Sequence, residues 1–161
     1  MNVDEVLERK TEDRRPCVIC SRLRRGHLYS LAEKLSCGKL ALGHHLDDIA
    51  SSFFISLCRG GGLTTMGPNV PSDNNKLRVI RPFSYATEKL VKSAAGELDL
   101  PEKGICIYRE ELEAEGDRAY FGRLLDEIEK KIPDLKSNLL KSLSDVRPKY
   151  LLDRKFLDID T

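Results

Sequence analysis

A short apolar run, Lys39-Leu40-Ala41-Leu42-Gly43, stands between two stretches of helical periodicity, and this arrangement restricts the fold more than any other feature of the chain. Runs of this kind form strands of parallel sheets, which are buried on both faces. Before it, the spacing of Leu23, His27, Leu28, Leu31 and Leu35 follows one face of a helix that starts at Ser21 and ends at the Cys37-Gly38 turn. After it, a helix from about Leu46 to Leu57 places Ile49, Phe53 and Leu57 on one face with Ala50 and Phe54 beside them, and Gly60-Gly61-Gly62 stops it. Helix, strand, helix is half of a doubly wound sheet.

Thr64 to Lys76, rich in Gly, Pro, Asn and Ser, reads as a long loop, and Leu77 to Phe83 as a second strand centred on Val79 and Ile80 and ended by Pro82. Thr87 is a suitable cap for a third helix, with Leu90, Val91, Ala94 and Leu98 behind it. Beyond Pro101 the chain is helical and charged, with one stripe at Tyr120, Leu124, Ile128 and Ile132 and another at Leu135, Leu139 and Leu143. The expected organisation is a charged N-terminal arm over 1–15, an α/β domain over 16–110 and a helical C-terminal extension over 111–161. The expected fold is a partial Rossmann-like parallel sheet with flanking helices. Two strands are too few for an open parallel sheet, so another chain, a second copy in a homodimer, or the rest of a longer product is expected to complete it.

Lys and Arg total 27 against 26 Asp and Glu, a formal net charge of +1, so any nucleic-acid surface has to be a local patch. Met1 to Pro16 lacks the apolar run of a secretory signal, and no stretch is long enough to span a bilayer, which gives a cytoplasmic location with no membrane partner as the expectation. The 5 cysteines are odd in number. In that setting Cys17-Val18-Ile19-Cys20 favours metal or redox chemistry over disulfides, because two soft sulfurs at this spacing reach one metal or cluster from a tight turn. A further donor is needed, and Cys106 in Gly104-Ile105-Cys106 is the best-placed candidate; a structural zinc or an idle thiol pair fits the paired cysteines alone equally well. Cys37 and Cys58, on the apolar edges of helices, read as small core residues.

Gly43-His44-His45-Leu46-Asp47-Asp48 falls where the first strand hands over to the second helix, at the carboxyl end of a parallel strand, where open α/β sheets bind ligands. Asp47 and Asp48 suit either a helix cap with a charge matched to the helix dipole, or a magnesium ion and a nucleotide phosphate. Arg22, Arg24 and Arg25 follow the cysteine pair; they form a solvated helix face or, at Arg24, a clamp for a phosphate. Arg59 and Arg81 fall at similar element ends, so several cations could converge on an anion.

Pro16-Cys17-x-x-Cys20-Ser21-Arg22-Leu23-Arg24-Arg25-Gly26, then Ala41-Leu42-Gly43-His44-His45-x-Asp47-Asp48, then the glycine cluster, Met66-x-Pro68 and Arg81-Pro82, together resemble the tRNA 2-thiocytidine synthetase family of PP-loop ATPases over residues 16 to 110. The resemblance implies an adenine nucleotide α-hydrolase-like fold in which ATP activates a tRNA base as an adenylate before sulfur replaces an oxygen. It implies a 4Fe-4S cluster on Cys17, Cys20 and Cys106, with zinc as the alternative; the sequence around Cys106 departs from the commoner family forms. Asp48 would stand near the nucleotide phosphates and magnesium with Arg24 opposite, His44, Gly43, Asp47 and Arg59 would line the nucleotide site, and Arg22 and Arg25 would meet the RNA.

The family's Ser-Gly-Gly-x-Asp-Ser loop, whose backbone amides cradle pyrophosphate, has no counterpart in this sequence. Losing several charge-assisted hydrogen bonds of about 1.5–3 kcal/mol each removes many powers of ten in ATP affinity. The expectation is therefore part of a tRNA thiolation enzyme that takes ATP and Mg only when a separate PP-loop subunit supplies that loop. The alternative is a non-catalytic relative, a metal-stabilised module that binds RNA or protein.

Overall fold

The computed structural model describes residues 16–98, 100, 114, 116–152 and 155. Helix α1 spans Pro16–Lys34, strand β1 Lys39–Ala41, helix α2 Leu46–Cys58, strands β2 Asn69–Pro71 and β3 Arg78–Ile80, helix α3 Glu88–Glu97, and helices α4 Asp117–Glu129 and α5 Leu135–Ser144. A short 3-10 turn at Pro148–Tyr150 follows. The sequence expectations for 1–15 and for Cys106 fall outside the described residues.

The sheet has 3 strands in the order β1-β3-β2. The two expected strands are present and pair in parallel, Leu40 opposite Val79. The sheet as a whole is mixed, which corrects the all-parallel expectation: Asn69-Val70-Pro71, expected as loop, runs antiparallel to β3 with Val70 opposite Val79. Pro71 is tolerated because β2 is an edge strand, where its missing N–H leaves no ladder bond broken. The turn from β2 to β3 is held by Ser72, whose Oγ accepts the Leu77 N–H at 3.2 Å.

One core patch lies where α1 covers the sheet: buried Ala32, Leu77 and Val79, with Tyr29, Leu40, Leu42 and Val70 against them. The helix begins at Pro16, five residues before the expected start at Ser21, and proline suits its first position because that N–H has no intrahelical acceptor. Its inward face also differs from the expected stripe: Tyr29 and Ala32 meet the sheet, while Leu31 and Leu35 are exposed. The second patch is helical. Leu46, Ile49, Ala50 and Phe53 of α2 are buried, as are Phe121 and Leu125 of α4, and α2 packs against α4 and α5. The buried pair on α4 lies one residue beyond the expected Tyr120 and Leu124, because Tyr120 turns outward and packs edge-on against Phe121.

Beyond α2, Gly60 and Gly62 adopt positive φ values of 76° and 80°, a region open to glycine without strain, and Gly61 N–H donates to Ser56 O at 2.7 Å. A Cβ on Gly61 would stand 2.6 Å from Ser56 Oγ, so the glycines serve the turn itself. Cys37 and Cys58 are both exposed, which corrects their reading as core residues; each falls at a helix end, past the face that packs.

Candidate functional site

The chain leaves β1 at Ala41 and enters α2 at Leu46, so Gly43, His44 and His45 form the turn at the carboxyl end of a parallel strand. The turn is fastened at both sides: Leu42 N–H donates to Ile80 O and Leu46 N–H to Ala86 O, each at 2.9 Å. Asp48 sits in the first turn of α2 and its Oδ2 accepts the His45 N–H at 3.2 Å, a backbone donor that the helix itself cannot satisfy. Arg118, at the start of α4, places Nη1 3.5 Å from Asp48 Oδ1.

The two neighbouring aspartates have different partners. Asp47 Oδ1 accepts from Lys136 Nζ at 2.7 Å, and Asp47 Oδ2 accepts the Glu88 N–H at 2.6 Å, at the first residue of α3. Burial would raise the Asp47 pKa, but the Lys136 ammonium and the Glu88 amide outweigh it and hold the carboxyl below its ordinary value. Lys136 is buried, and its Nζ also meets Asp126 at 2.6 Å and Glu129 at 3.3 Å. This cluster ties α2, α3, α4 and α5 together. Asp47 thus holds elements in place, while Asp48 keeps the looser ion pair at the strand end.

His44 is partly buried. Its pKa is lowered, first by burial and then by the positive charges of Arg81 and Arg118, against the opposing charge of Asp48. It is therefore a neutral imidazole beside a carboxylate at neutral pH.

The paired cysteines fall at the amino-terminal end of α1, not in a turn before it. Positions three apart lie within a single turn of helical backbone. Cys20 is a partly buried free thiol, and among the described residues no group of three or more metal-ligating side chains gathers. Arg22, Arg24 and Arg25 are exposed along α1. Arg59 follows the carboxyl end of α2, a helix of 13 residues and so about 20 Å long, and is not brought together with His44 and Asp47. It pairs with Asp117 at 2.7 Å instead. Lys136 went unnoticed in the sequence, where lysine is expected on a solvated face. Its available signal was its register with Leu139, Leu140 and Leu143, which puts a charge inside an apolar stripe.

No helix among the described residues is long and apolar enough to cross a membrane. No protein-family model matches the chain. The tRNA-cytidine(32) 2-sulfurtransferase of Mesorhizobium japonicum is 40% identical over 144 residues, which are 88% of this chain and 48% of that protein. The protein of the same name from Pelobacter propionicus is 41% identical over 150 residues, 90% of this chain and 55% of the relative, and that from Chelativorans sp. is 38% identical over 155 residues, 95% and 53%. Among solved structures, the U34-tRNA thiolase NcsA from Methanococcus maripaludis with its 4Fe-4S cluster aligns with a TM-score of 0.65 at 22% identity, over 86% of this chain and 47% of the thiolase. That likeness is one of fold. The chain spans about half the length of the curated relatives it matches, and over that half it is a sequence relative of the tRNA-cytidine(32) 2-sulfurtransferases.

Proposed function

We propose that this chain is one half of a cytoplasmic, ATP-dependent tRNA thiolation enzyme that replaces a cytidine oxygen with sulfur, and that it acts with a polypeptide or segment bearing the PP-loop. The observation that carries the reading is the match at 38% to 41% identity, which runs through almost the whole chain. It is supported by the position of Asp48 and His44 at the carboxyl end of β1, where α/β sheets hold ligands. The three strands are read as one side of a larger Rossmann-like, adenine nucleotide α-hydrolase-like sheet. β1 is an edge strand among the described residues, and its free edge is the place for further strands.

In this reading Asp48 faces magnesium and the nucleotide phosphates, Arg24 is the cation opposite, Gly43 and His44 shape the pocket, and Asp47 fixes the position of its neighbour. Arg22 and Arg25, exposed on α1, meet the RNA backbone. Cys17, Cys20 and Cys106 are the ligands of a 4Fe-4S cluster, with zinc the alternative metal. Soft thiolates three residues apart suit that group, and the partly buried Cys20 thiol is unoccupied by any disulfide. When bound, a cluster held by three thiolates supplies an iron on which sulfide can dock. ATP adenylates the base oxygen with release of pyrophosphate, and sulfide then takes the place of that oxygen as AMP leaves.

The test is anaerobic reconstitution with iron and sulfide, mixing with the remaining half of the Pelobacter propionicus relative, and mass spectrometry of nucleosides from tRNA. Thiolated cytidine formed only when both halves and ATP are present is the expected result. Zinc in place of iron and sulfide, with no thiolated cytidine, would show a binding module instead.

A further inference from the structure

Helix α3 is amphipathic, yet it buries none of its residues. Leu90, Val91, Ala94 and Leu98 recur at helical spacing along one side, with Lys89, Lys92 and Glu97 on the other. Leu90 is 61% exposed and Leu98 68%. Large exposed apolar side chains also precede the helix, at Phe83 and Tyr85, and follow it, at Leu100. One such side chain is ordinary on a protein surface, but five between positions 83 and 100 mark a stretch of chain without its cover.

The helix has 10 residues, a length that is marginal in water unless packing supports it. Its first turn is well held: Thr87 Oγ1 accepts the Leu90 N–H at 3.3 Å, and the Glu88 N–H donates to Asp47 at 2.6 Å. Its position indicates what comes to cover the rest. Ala86 O accepts the Leu46 N–H at 2.9 Å, so α3 begins beside the strand-end turn at the carboxyl rim of the sheet. A nucleotide loop that serves Asp48 has to reach that same rim, and the segment carrying it arrives next to α3. The chain spans about half the length of its curated relatives, which leaves that segment to the other half. RNA fits the stripe poorly, because its phosphates are met by Lys and Arg, and the lysines of α3 lie on the opposite side.

We propose that the apolar side of α3, centred on Leu90 and Leu98, is the docking surface for the half that bears the PP-loop, which receives it in an apolar groove. The proposal rests on the function proposed above and adds a second contact to the free edge of β1. Docking of α3 orders the helix and holds the incoming half at the rim where Asp48 stands.

The test is co-expression of the full chain with the remaining half of the Pelobacter propionicus relative, followed by sedimentation of the purified pair to obtain its dissociation constant. Leu90→Asp and Leu98→Asp are each expected to weaken the pair about tenfold or more. Leu152→Asp, at a position already 89% exposed, is expected to associate as wild type does. No association in wild type, or wild-type affinity in both α3 variants, overturns the docking surface. Should the variants not fold, hydrogen exchange of wild type takes their place: slower exchange of the α3 amides in the pair than in the chain alone supports the proposal, and unchanged exchange overturns it. A self-associated form of the chain that Leu90→Asp disperses would give this face to a second copy and overturn it as well. Association needs no ATP, RNA or cluster, so a failure of thiolation leaves it readable. Thiolation by the mixed halves with undiminished affinity in both variants sinks the docking surface and keeps the two-half reading.

Discussion

Lys136 places its ammonium 2.7 Å from Asp47 Oδ1, joining residues 89 positions apart in the chain. Through this contact the last α-helix of the described residues, α5, holds the start of α2, where the strand-end turn and Asp48 are found. Asp126 and Glu129 close the cluster from α4.

Lys136→Met leaves Asp47, Asp126 and Glu129 facing one another without a cation. Breaking a buried ion pair from one side costs about 3–5 kcal/mol, and the 63% exposure of Asp126 puts this cluster toward the lower end. The expected loss in urea unfolding is about 3 kcal/mol, with Lys136→Arg recovering a good part of it.

Stability should fall with acid in two stages. Burial keeps His44 neutral in the fold, below its ordinary value of 6.5, so the unfolded chain takes up a proton there first. Its contribution is present above 6.5 and lost as the pH falls below it. The Asp47 carboxyl is likewise held below its ordinary 3.8, and its contribution is present above that value and lost as the pH falls further. Denaturation measured across pH should lose the first stage in His44→Gln and the second in Asp47→Asn.

Under anaerobic reconstitution, Cys17→Ala and Cys20→Ala are each expected to lose bound iron and sulfide, whereas Cys37→Ala and Cys58→Ala, at exposed positions, retain them. Iron and sulfide analysis checks this. Cys106→Ala extends the same measurement to the third proposed ligand.

Much of the scaffold was legible because burial imposes period. Ile49 and Phe53 are spaced as a helix face and are buried as one, and Thr87 caps α3 as its residue type suggests, its Oγ1 accepting from the Leu90 N–H at 3.3 Å. β2 was not legible: it is 3 residues long, contains a proline, and its pairing with β3 is made by backbone groups common to every sequence. The Gly43 to Asp48 turn was legible as a site by its place after a strand. The division of roles between Asp47 and Asp48 was not, since it is set by Lys136, which sequence places far away. Arg81 shows the same limit, because only the register of β1 against β3 puts it beside His44.

Asp48→Asn keeps an oxygen to accept the His45 N–H and weakens two longer contacts, the 3.5 Å ion pair to a largely exposed Arg118 and the 3.4 Å approach of His45 Nε2, so its stability cost is expected to be about 1 kcal/mol or less. Thiolated cytidine formed by the mixed halves, measured by mass spectrometry of tRNA nucleosides for wild type and Asp48→Asn, tests the proposed role of this strand end most directly. Loss of thiolation to background with an unchanged melting temperature is the expected result. Thiolation by Asp48→Asn at the wild-type rate would contradict it.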